Sequence, residues 1–331
     1  MKQVGYLYDK IVDIDNIVRA MEIYDERRPV KLRRGVDYRL AWEIKRRMES
    51  DFRSLIGKPR IKYIIESGKQ RRLQIPSYCS VVAQTAMWNI CGEHIENHIH
   101  RQSFSSRKGF GGHLAAQKCE RFVHTNLDGK AKYHLYFDIK KFYQHIDLEA
   151  LKRAVARIIK DKQVLEMFDI VIDSSDDGLP IGYPFSHALA NLVLVPLYYK
   201  ICGIRNISKV YVYMDNWTIF SRYKAPLKRA LALAKGWLKE IGCEVKQDYQ
   251  IAPTESRGVK ICGFIIGGKH TRLYRRIWHR IVRNFDKCIN NPRCERLRLS
   301  MASRLGWLKA INKQYSKIFT INKKQGGYLW K

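Results

Sequence analysis

Apolar residues follow two different spacings along the chain, and each spacing predicts one kind of element. Recurrence every three or four residues predicts four long helices, at 11–21, 38–52, 81–99 and 224–242. Short runs rich in aromatic and β-branched residues predict strands, which lie at 60–76, 134–137 and 210–220. With 331 residues, this mixture predicts one large mixed domain and a smaller appendage.

The stretch 209–221 predicts a tight β-hairpin that carries a carboxylate at its tip. Strands at 210–213 and 217–220 flank a turn with Asp215, and their aromatic arms should hold this turn nearly rigid. A single carboxylate between hydrophobic strands is costly to bury unless a cation or hydrogen bonds compensate for the charge. Asp215 is therefore a candidate cation ligand, and the alternative is an incidental acidic residue in a turn.

A second carboxylate follows another predicted strand. The apolar run 134–137 leads to Asp138, and a helix is expected to begin near Asp147, which would act as its cap. A carboxylate at a strand end, beside the carboxylate of another hairpin, is the arrangement in which oxygen ligands hold a pair of divalent metals. Asp138 and Asp215 are the candidates for such a pair.

The segment 60–76 predicts a hairpin with one apolar strand, a Ser-Gly turn and one basic strand. Such a hairpin can direct Lys69, Arg71 and Arg72 at a polyphosphate, because the guanidinium fork matches phosphate oxygens. A basic surface hairpin with no ligand is the alternative.

The charge of the chain indicates a nucleic-acid partner. It has 62 Lys and Arg residues against 31 Asp and Glu, and 46% of its residues are hydrophobic, so disorder does not explain the net charge of +31. Lys and Arg release counterions from a phosphate backbone. Binding to a membrane surface is the alternative, but no long apolar run supports it. The final 63 residues carry 17 Lys or Arg and two acids, which predicts a basic helical bundle for phosphates.

Two further features have competing interpretations. The charged stretch from Tyr24 to Gly35 is either a solvated loop or a contact for nucleic acid or nucleotide. Glu93, His94 and His98 have metal-ligand spacing, but a plain helix face explains them better.

The eight cysteines are scattered, and the N-terminal sequence has no apolar secretory core. We therefore expect reduced thiols and a cytoplasmic location.

Ordered motifs along about residues 60–315 resemble those of bacterial reverse transcriptases of the group II intron-like, diversity-generating and unknown-group lineage. Tyr-Met-Asp-Asn at 213–216 and Phe-Asp-Ile-Lys-x-Phe-Tyr at 137–143 resemble the two catalytic motifs. Further matches are Lys-Gln-Arg followed by Ile-Pro in 69–76, Ser-x-x-x-Arg-x-Gly-x-x-x-His at 103–113, the glycine-rich segment 178–191, Cys-Gly-Phe at 262–264 and Arg-Leu-Gly-Trp-Leu-Lys at 304–309.

The resemblance implies an α+β, right-hand polymerase fold with an antiparallel sheet. Fingers and palm would occupy 1–265, with the fingers in about 1–130 and 150–185, and a small basic helical thumb would occupy 266–331. Nothing in this length is left for a maturase, ribonuclease H or endonuclease domain.

The resemblance also implies roles for individual residues. Catalysis would use Asp138, Asp215 and Asn216, with Mg²⁺ or Mn²⁺ held by Asp138, Asp215 and the backbone carbonyl of Ile139. Tyr143 would be a steric gate that excludes a ribose 2′-hydroxyl and so selects deoxynucleotides. The implied nucleotide-binding residues are Lys69, Arg71, Arg72, Tyr143, Gly182 and Ser186. The implied template and primer residues are Arg107, Tyr213, Met214, Cys262, Gly263 and Trp307.

The function implied is RNA-directed DNA synthesis from dNTPs, on an RNA template and with a DNA product. The resemblance is strongest to the enzymes of anti-phage defence. It therefore implies a noncoding-RNA template, or repetitive or untemplated DNA, and assembly into a homo-oligomer or with a second protein subunit.

Three positions depart from the usual motifs and keep alternatives open. Asn216 replaces the usual Asp, Ile181 replaces a common Gln, and His187 stands where diversity-generating enzymes have Gln. The alternatives are a diversity-generating retroelement enzyme, a catalytically decayed polymerase-fold scaffold that only binds nucleic acid, and an enzyme that makes RNA.

Overall fold

In the computed structural model the chain divides into two units, each assembled from three stretches of sequence. The described residues are 3–66, 69–175, 178–268, 270–291, 293–311, 319–322 and 327–330. The first unit consists of Met1–Arg107, Ile139–Ile201 and Ala232–Lys246. The second consists of Lys108–Asp138, Cys202–Leu231 and Gln247–Lys331.

Helices dominate the first unit, because its sequence repeats apolar residues at helical spacing. They are α1 (Tyr8–Ile11), α2 (Ile14–Glu26), α3 (Tyr38–Ser50), α4 (Phe52–Ile56), α5 (Tyr78–His98), α7 (Phe142–His145), α8 (Leu148–Ala156), α9 (Lys162–Asp173) and α10 (Ser186–Val193), with a 3₁₀ turn at Val30–Leu32. Several begin at an aspartate whose carboxylate accepts a first-turn backbone N–H, which fixes where the helix starts. These caps are Asp13, Asp37, Asp51, Asp147 and Asp161.

The strands of the first unit are few. β1 (Arg60–Glu66) and β2 (Lys69–Ile75) form an antiparallel hairpin, which confirms the hairpin predicted for this segment. A short strand, β6 (Glu244–Val245), pairs with Ile139 and Lys140 at the end of β3 (Tyr133–Lys140).

The second unit is centred on an antiparallel sheet. Its strands are β3 up to Asp138, β4 (Ile207–Tyr213), β5 (Asn216–Ser221) and β7 (Gln250–Pro253), in the spatial order β4-β5-β3-β7. Phe137 and Trp217 face each other across β3 and β5. Their rings stack with centroids 5.7 Å apart, and both side chains are fully buried. This pair anchors the register of the two strands.

The remaining elements of the second unit surround that sheet. Helix α6 (Gly112–Asn126) packs on β4 and on a three-stranded sheet of β8 (Val259–Ile261), β9 (Phe264–Ile266) and β10 (Thr271–Leu273). The other elements are α13 (Thr254–Arg257), α14 (Arg275–Asn290), α15 (Glu295–Ile311), β11 (Phe319–Asn322) and β12 (Gly327–Trp330). Two helices cross the division between the units, α11 (Val195–Cys202) and α12 (Lys224–Glu240).

The elements agree with the sequence predictions in kind and differ at some ends. The sequence predicted that the strand would end at Asp138, but β3 continues to Lys140. Pairing of Ile139 and Lys140 with β6 extends the strand. The hairpin of β11 and β12 was not predicted. Helices α14 and α15 lie in the segment for which a helical bundle was predicted. None of the helices in the described part of the chain combines the length and apolar character that a bilayer crossing requires.

The sheet of the second unit should depend strongly on Phe137. Replacing Phe137 with Ala removes a fully buried ring and should lower the free energy of unfolding by about 3–5 kcal/mol. Urea denaturation followed by tryptophan fluorescence measures this change. The control is Tyr223→Ala at an exposed position, which should change it by less than about 0.5 kcal/mol. Equal effects of the two substitutions would contradict the packing described here.

Candidate active site

Two carboxylates lie at the same end of the central strands in the second unit. Asp138 of β3 is the direct partner of Asn216 in β5, and Asp215 precedes Asn216 in the turn that joins β4 to β5. Adjacent strands are about 4.8 Å apart, so this register brings Asp138 and Asp215 to one edge of the sheet. Both are partly exposed. Met214, the other turn residue, is buried and has a φ of +57°, which makes the turn tight.

Asn216 connects one of these carboxylates to a tyrosine. Its Nδ2 donates a hydrogen bond of 3.0 Å to Oδ1 of Asp215, and its Oδ1 accepts one of 2.7 Å from the hydroxyl of Tyr136. An amide is suited to this position because it donates at one end and accepts at the other. The amide therefore holds Asp215 in one orientation, and Tyr136 holds the amide.

Tyr136 reaches Asn216 through the geometry of the sheet. Tyr136 pairs with Thr218, and Asn216 is two residues before Thr218 in the same strand, so the side chains of Tyr136 and Asn216 form a diagonal neighbour pair on one face. Burial raises the pKa of Tyr136 above its ordinary value, and the phenol Tyr274 and the carboxylate Asp138 raise it further. The hydroxyl therefore stays protonated and keeps its donor role.

The donor set of this edge fits a hard divalent cation. Asp138 and Asp215 offer carboxylate oxygens, which Mg²⁺ prefers, and Mg²⁺ completes its shell with water and substrate phosphates. Across the residues that the structure describes, no three His, Cys, Asp or Glu side chains cluster as metal ligands, so any metal here relies on the two aspartates and on ligands brought by substrate. Ile139 follows Asp138 in β3, and its carbonyl remains a predicted ligand.

A cavity of about 270 Å³ adjoins the turn within the second unit. It is lined by residues of β3, β4, β5 and β8, by the turn between β8 and β9, and by Tyr274: Tyr136, Tyr211, Tyr213, Asn216, Thr218, Lys260, Ile261, Cys262, Gly263 and Tyr274. Burial raises the pKa of Cys262 to about 12 and that of Tyr274 to about 12, so both groups are neutral at pH 7. The structure thus brings together three predicted primer residues, Tyr213, Cys262 and Gly263.

The predicted gate, Tyr143, is fixed within the first unit. Its hydroxyl is 2.6 Å from Nδ1 of His187, and its backbone carbonyl accepts from the N–H of Leu179 at 2.7 Å. Desolvation lowers the pKa of His187, which favours the neutral ring. Gly178 has a φ of +57°, and a Cβ there would overlap the Tyr143 carbonyl. His187, one of the three positions that depart from the usual motifs, therefore helps to hold the side chain of Tyr143 in place.

The glycine-rich segment is tied to β2 in the same unit. The N–H of Gln74 donates to the carbonyl of Ile181 at 3.1 Å, and the side chain of Gln74 donates to Ser175 at 2.7 Å. A Cβ on Gly182 would lie 2.8 Å from the Gln74 carbonyl oxygen, so this close approach requires glycine. Ser186 begins α10 and its side chain is buried.

Other predicted site residues are placed as follows. Lys69 and Arg71 are in β2, opposite Glu66 and Ile64, but their side chains lie outside the described residues, as does the side chain of Trp307 in α15. Arg72 is opposite Tyr63.

Arg107, predicted to contact template, has a structural part in the first unit. Its guanidinium donates to three backbone carbonyls, those of Glu96, His100 and Ser103. Ser103 in turn donates to the buried side chain of Asn191 at 2.9 Å. His98, part of the cluster with metal-ligand spacing, uses its Nδ1 within 2.6 Å of the His94 carbonyl.

Sequence reasoning missed Tyr136, Tyr274 and Gln74. Tyr136 could have been found, because it lies two residues before Asp138 and alternation in a strand puts both on one face. Tyr274 and Gln74 depend on contacts between distant segments, and no local pattern indicates them.

The chain is similar to known proteins over part of its length. The family model for reverse transcriptase (RNA-dependent DNA polymerase) matches residues 56–266. The retron Ec73 reverse transcriptase of Escherichia coli is 26% identical over 167 residues, which cover 45% of this chain and 53% of that protein. The chain thus spans about half the length of the relative it matches.

Solved telomerase structures resemble the fold. Telomerase from Candida albicans, in complex with the TWJ fragment of telomeric RNA, aligns with a TM-score of 0.54 and 9% identity over 78% of this chain and 54% of that one. Apo telomerase from Candida tropicalis, truncated from its C-terminal domain, aligns with a TM-score of 0.51 and 14% identity over 66% and 55%.

These alignments confirm the expected polymerase fold of helices and antiparallel sheets. The family match extends over more than half of the chain and includes both segments that resemble catalytic motifs, at 137–143 and 213–216. The chain belongs to the reverse transcriptase family.

Proposed function

We propose that the chain is an RNA-directed DNA polymerase that extends DNA from dNTPs on an RNA template. The observation that carries this proposal is the placement of Asp138 and Asp215 at one edge of the sheet by the register of β3 and β5. Their oxygen donors suit two Mg²⁺ ions, and Mn²⁺ has the same preference. Family membership supports the same reaction.

Each group has a part in nucleotidyl transfer. Mg²⁺ held by Asp138 and Asp215 would lower the pKa of the primer 3′-hydroxyl and neutralise charge on the triphosphate and the leaving pyrophosphate. Asp138 and Asp215 hold the metals, and the amide of Asn216 keeps the Asp215 carboxylate oriented. Lys69, Arg71 and Arg72 supply positive charge to the triphosphate. Tyr213, Cys262 and Gly263 line the cavity beside the turn and bind the primer end.

Tyr143 selects the sugar. Hydrogen bonding to His187 and to the segment at Leu179 restrains the ring and the backbone of Tyr143. A restrained aromatic ring rejects a ribose 2′-hydroxyl by steric overlap, so deoxynucleotides are used.

The biological setting that we propose is anti-phage defence in the bacterial cytoplasm. The similarity to a retron reverse transcriptase supports a noncoding RNA as template. Assembly into a homo-oligomer or with a second protein subunit belongs to the same proposal, as does a thumb formed by residues 266–331. A catalytically decayed scaffold is the second candidate, and it is favoured by one observation, that Asn216 removes a negative charge from the catalytic turn.

The first prediction concerns the charge at Asn216. Asn216→Asp should lower the Mg²⁺ concentration that gives half-maximal DNA synthesis by on the order of tenfold, because a third carboxylate raises cation affinity. Asp215→Asn should reduce synthesis by at least about a hundredfold. Titration of Mg²⁺ and Mn²⁺ in a primer-extension assay measures both effects. Activity of Asp215→Asn equal to that of the parent would refute a role of this carboxylate. No synthesis by the parent with either metal, with its RNA and partners present, would favour the scaffold.

The second prediction concerns the gate. Tyr143→Ala should admit ribonucleotides and reduce discrimination against them roughly 10- to 200-fold, while deoxynucleotide use continues. Tyr143→Phe is the matched control: it keeps the ring, loses the hydrogen bond to His187 and should still discriminate. Single-nucleotide incorporation of dATP and ATP measures the ratio. If Tyr143→Ala discriminates as sharply as the parent, Tyr143 is not the gate.

The third prediction concerns salt. Helix α14 buries Ile281, Phe285 and Cys288 and leaves much of its basic face exposed, so the thumb should bind phosphates. With about five to eight phosphates neutralised, affinity for a primer–template duplex should fall roughly 10²- to 10⁴-fold between about 50 and 200 mM salt. Fluorescence anisotropy of a labelled duplex measures this. Affinity that does not change with salt would contradict phosphate contact as the main source of binding.

A further inference from the structure

Helix α3 in the first unit presents two large aromatic side chains to solvent. Tyr38 is 65% exposed and Trp42 is 57% exposed, and they are one turn apart on the same face. A neighbouring face of the helix buries Ala41, Ile44 and Met48, so the helix packs without either ring. Large aromatic side chains left in solvent side by side need a reason beyond stability.

The surroundings of these rings are strongly basic. The stretch 27–47 contains nine Lys or Arg residues and two acids. Arg39 and Arg46 are exposed on the same side of α3 as the rings, and within the described chain neither makes an ion pair. Two exposed acids of α3 lie near these arginines: Glu43, four residues after Arg39, and Glu49, which is paired with Lys45 at 2.7 Å.

The loop before α3 is held in a fixed shape. The carboxylate of Asp25 is buried and accepts the backbone N–H groups of Arg34, at 3.0 Å, and Gly35, at 2.7 Å. Arg34 lies over the ring of Tyr78, 4.5 Å from its centroid. The loop is thereby preorganised, and it exposes Val30 and Leu32 beside its basic residues, at 76% and 49%.

We infer that residues 28–46 form a binding surface for single-stranded RNA, outside the polymerisation chemistry. Exposed aromatic rings stack on unpaired bases, and arginines beside them bind the phosphates. A duplex would hide its bases from Tyr38 and Trp42, so the surface fits a single strand. The net positive charge argues for RNA over a protein partner. The choice of RNA over DNA rests on the proposed use of an RNA template.

The test measures binding of a fluorescein-labelled oligouridylate of about 20 nucleotides to the full chain, with excess unlabelled RNA–DNA hybrid to occupy the primer–template site. Tyr38→Ala/Trp42→Ala should weaken binding at least about tenfold, because each stacked base is lost. Tyr38→Phe/Trp42→Phe keeps both rings and should retain binding. Tyr199→Ala removes an equally exposed ring, at 60%, on another helix and should have no effect. Arg39→Gln/Arg46→Gln should reduce the salt slope by about 1.4, for two phosphates lost from a single strand.

Primer extension on a short annealed primer–template separates this inference from the proposed polymerase activity. The alanine variant should extend that primer as well as the parent does. If the parent extends no primer, the proposed polymerase activity fails, but the comparison of RNA binding between parent and variant still tests this inference. All these side chains are exposed, so the variants should fold, and circular dichroism melting checks this. Parental oligouridylate binding by the alanine variant would overturn the inference. So would an equal loss of oligothymidylate binding, which would assign single-stranded DNA, or a change of oligomeric mass with RNA binding intact, which would assign a protein partner.

Discussion

The register between β3 and β5 is the constraint on which the candidate site depends. Asp138 is opposite Asn216 because Phe137 is opposite Trp217, and that stacked pair is fully buried. A slip of β3 by one residue would turn Phe137 to the other face, away from Trp217, and would break the pairing of Asp138 with Asn216. The hydrophobic pair thus positions the charged pair, and the cost of holding two carboxylates together is offset by burying aromatic surface beside them.

The polar network at the turn explains how an asparagine can occupy a position that usually carries an aspartate. Asn216 has no charge, but it donates to Asp215 and accepts from Tyr136. A second carboxylate would repel Asp215 whenever no cation is bound. The asparagine instead preorganises a single carboxylate, at the expense of the electrostatic attraction for cations that an additional charge would supply. We therefore expect a weaker metal affinity than an aspartate at this position would give, together with a well-ordered Asp215 carboxylate.

Local patterns predicted the elements that carry the site, and cross-strand contacts decided the rest. Alternation and turn position were enough for the hairpin at Asp215, and an aspartate cap was enough to place the start of α8. The bridge from Tyr136 to Asn216 required the register of two strands far apart in sequence. Two further contacts arise where separate segments pack: the hydrogen bond between Tyr143 and His187, and the close approach of Gly182 to the Gln74 carbonyl. The exposure of Tyr38 and Trp42 could not be predicted from the sequence either, since a helical pattern does not show which residues a neighbouring segment covers.

Whether the carboxylate edge carries out DNA synthesis is tested by measuring incorporation of labelled dATP and ATP by the full chain on a primed RNA template, for the parent and for Asp138→Ala. We predict that the parent incorporates dATP in preference to ATP, and that Asp138→Ala, which removes one of the two proposed metal-binding carboxylates, incorporates neither. Equal incorporation by the two proteins, or a preference of the parent for ATP, would contradict the assignment of the carboxylate edge as the centre of DNA synthesis.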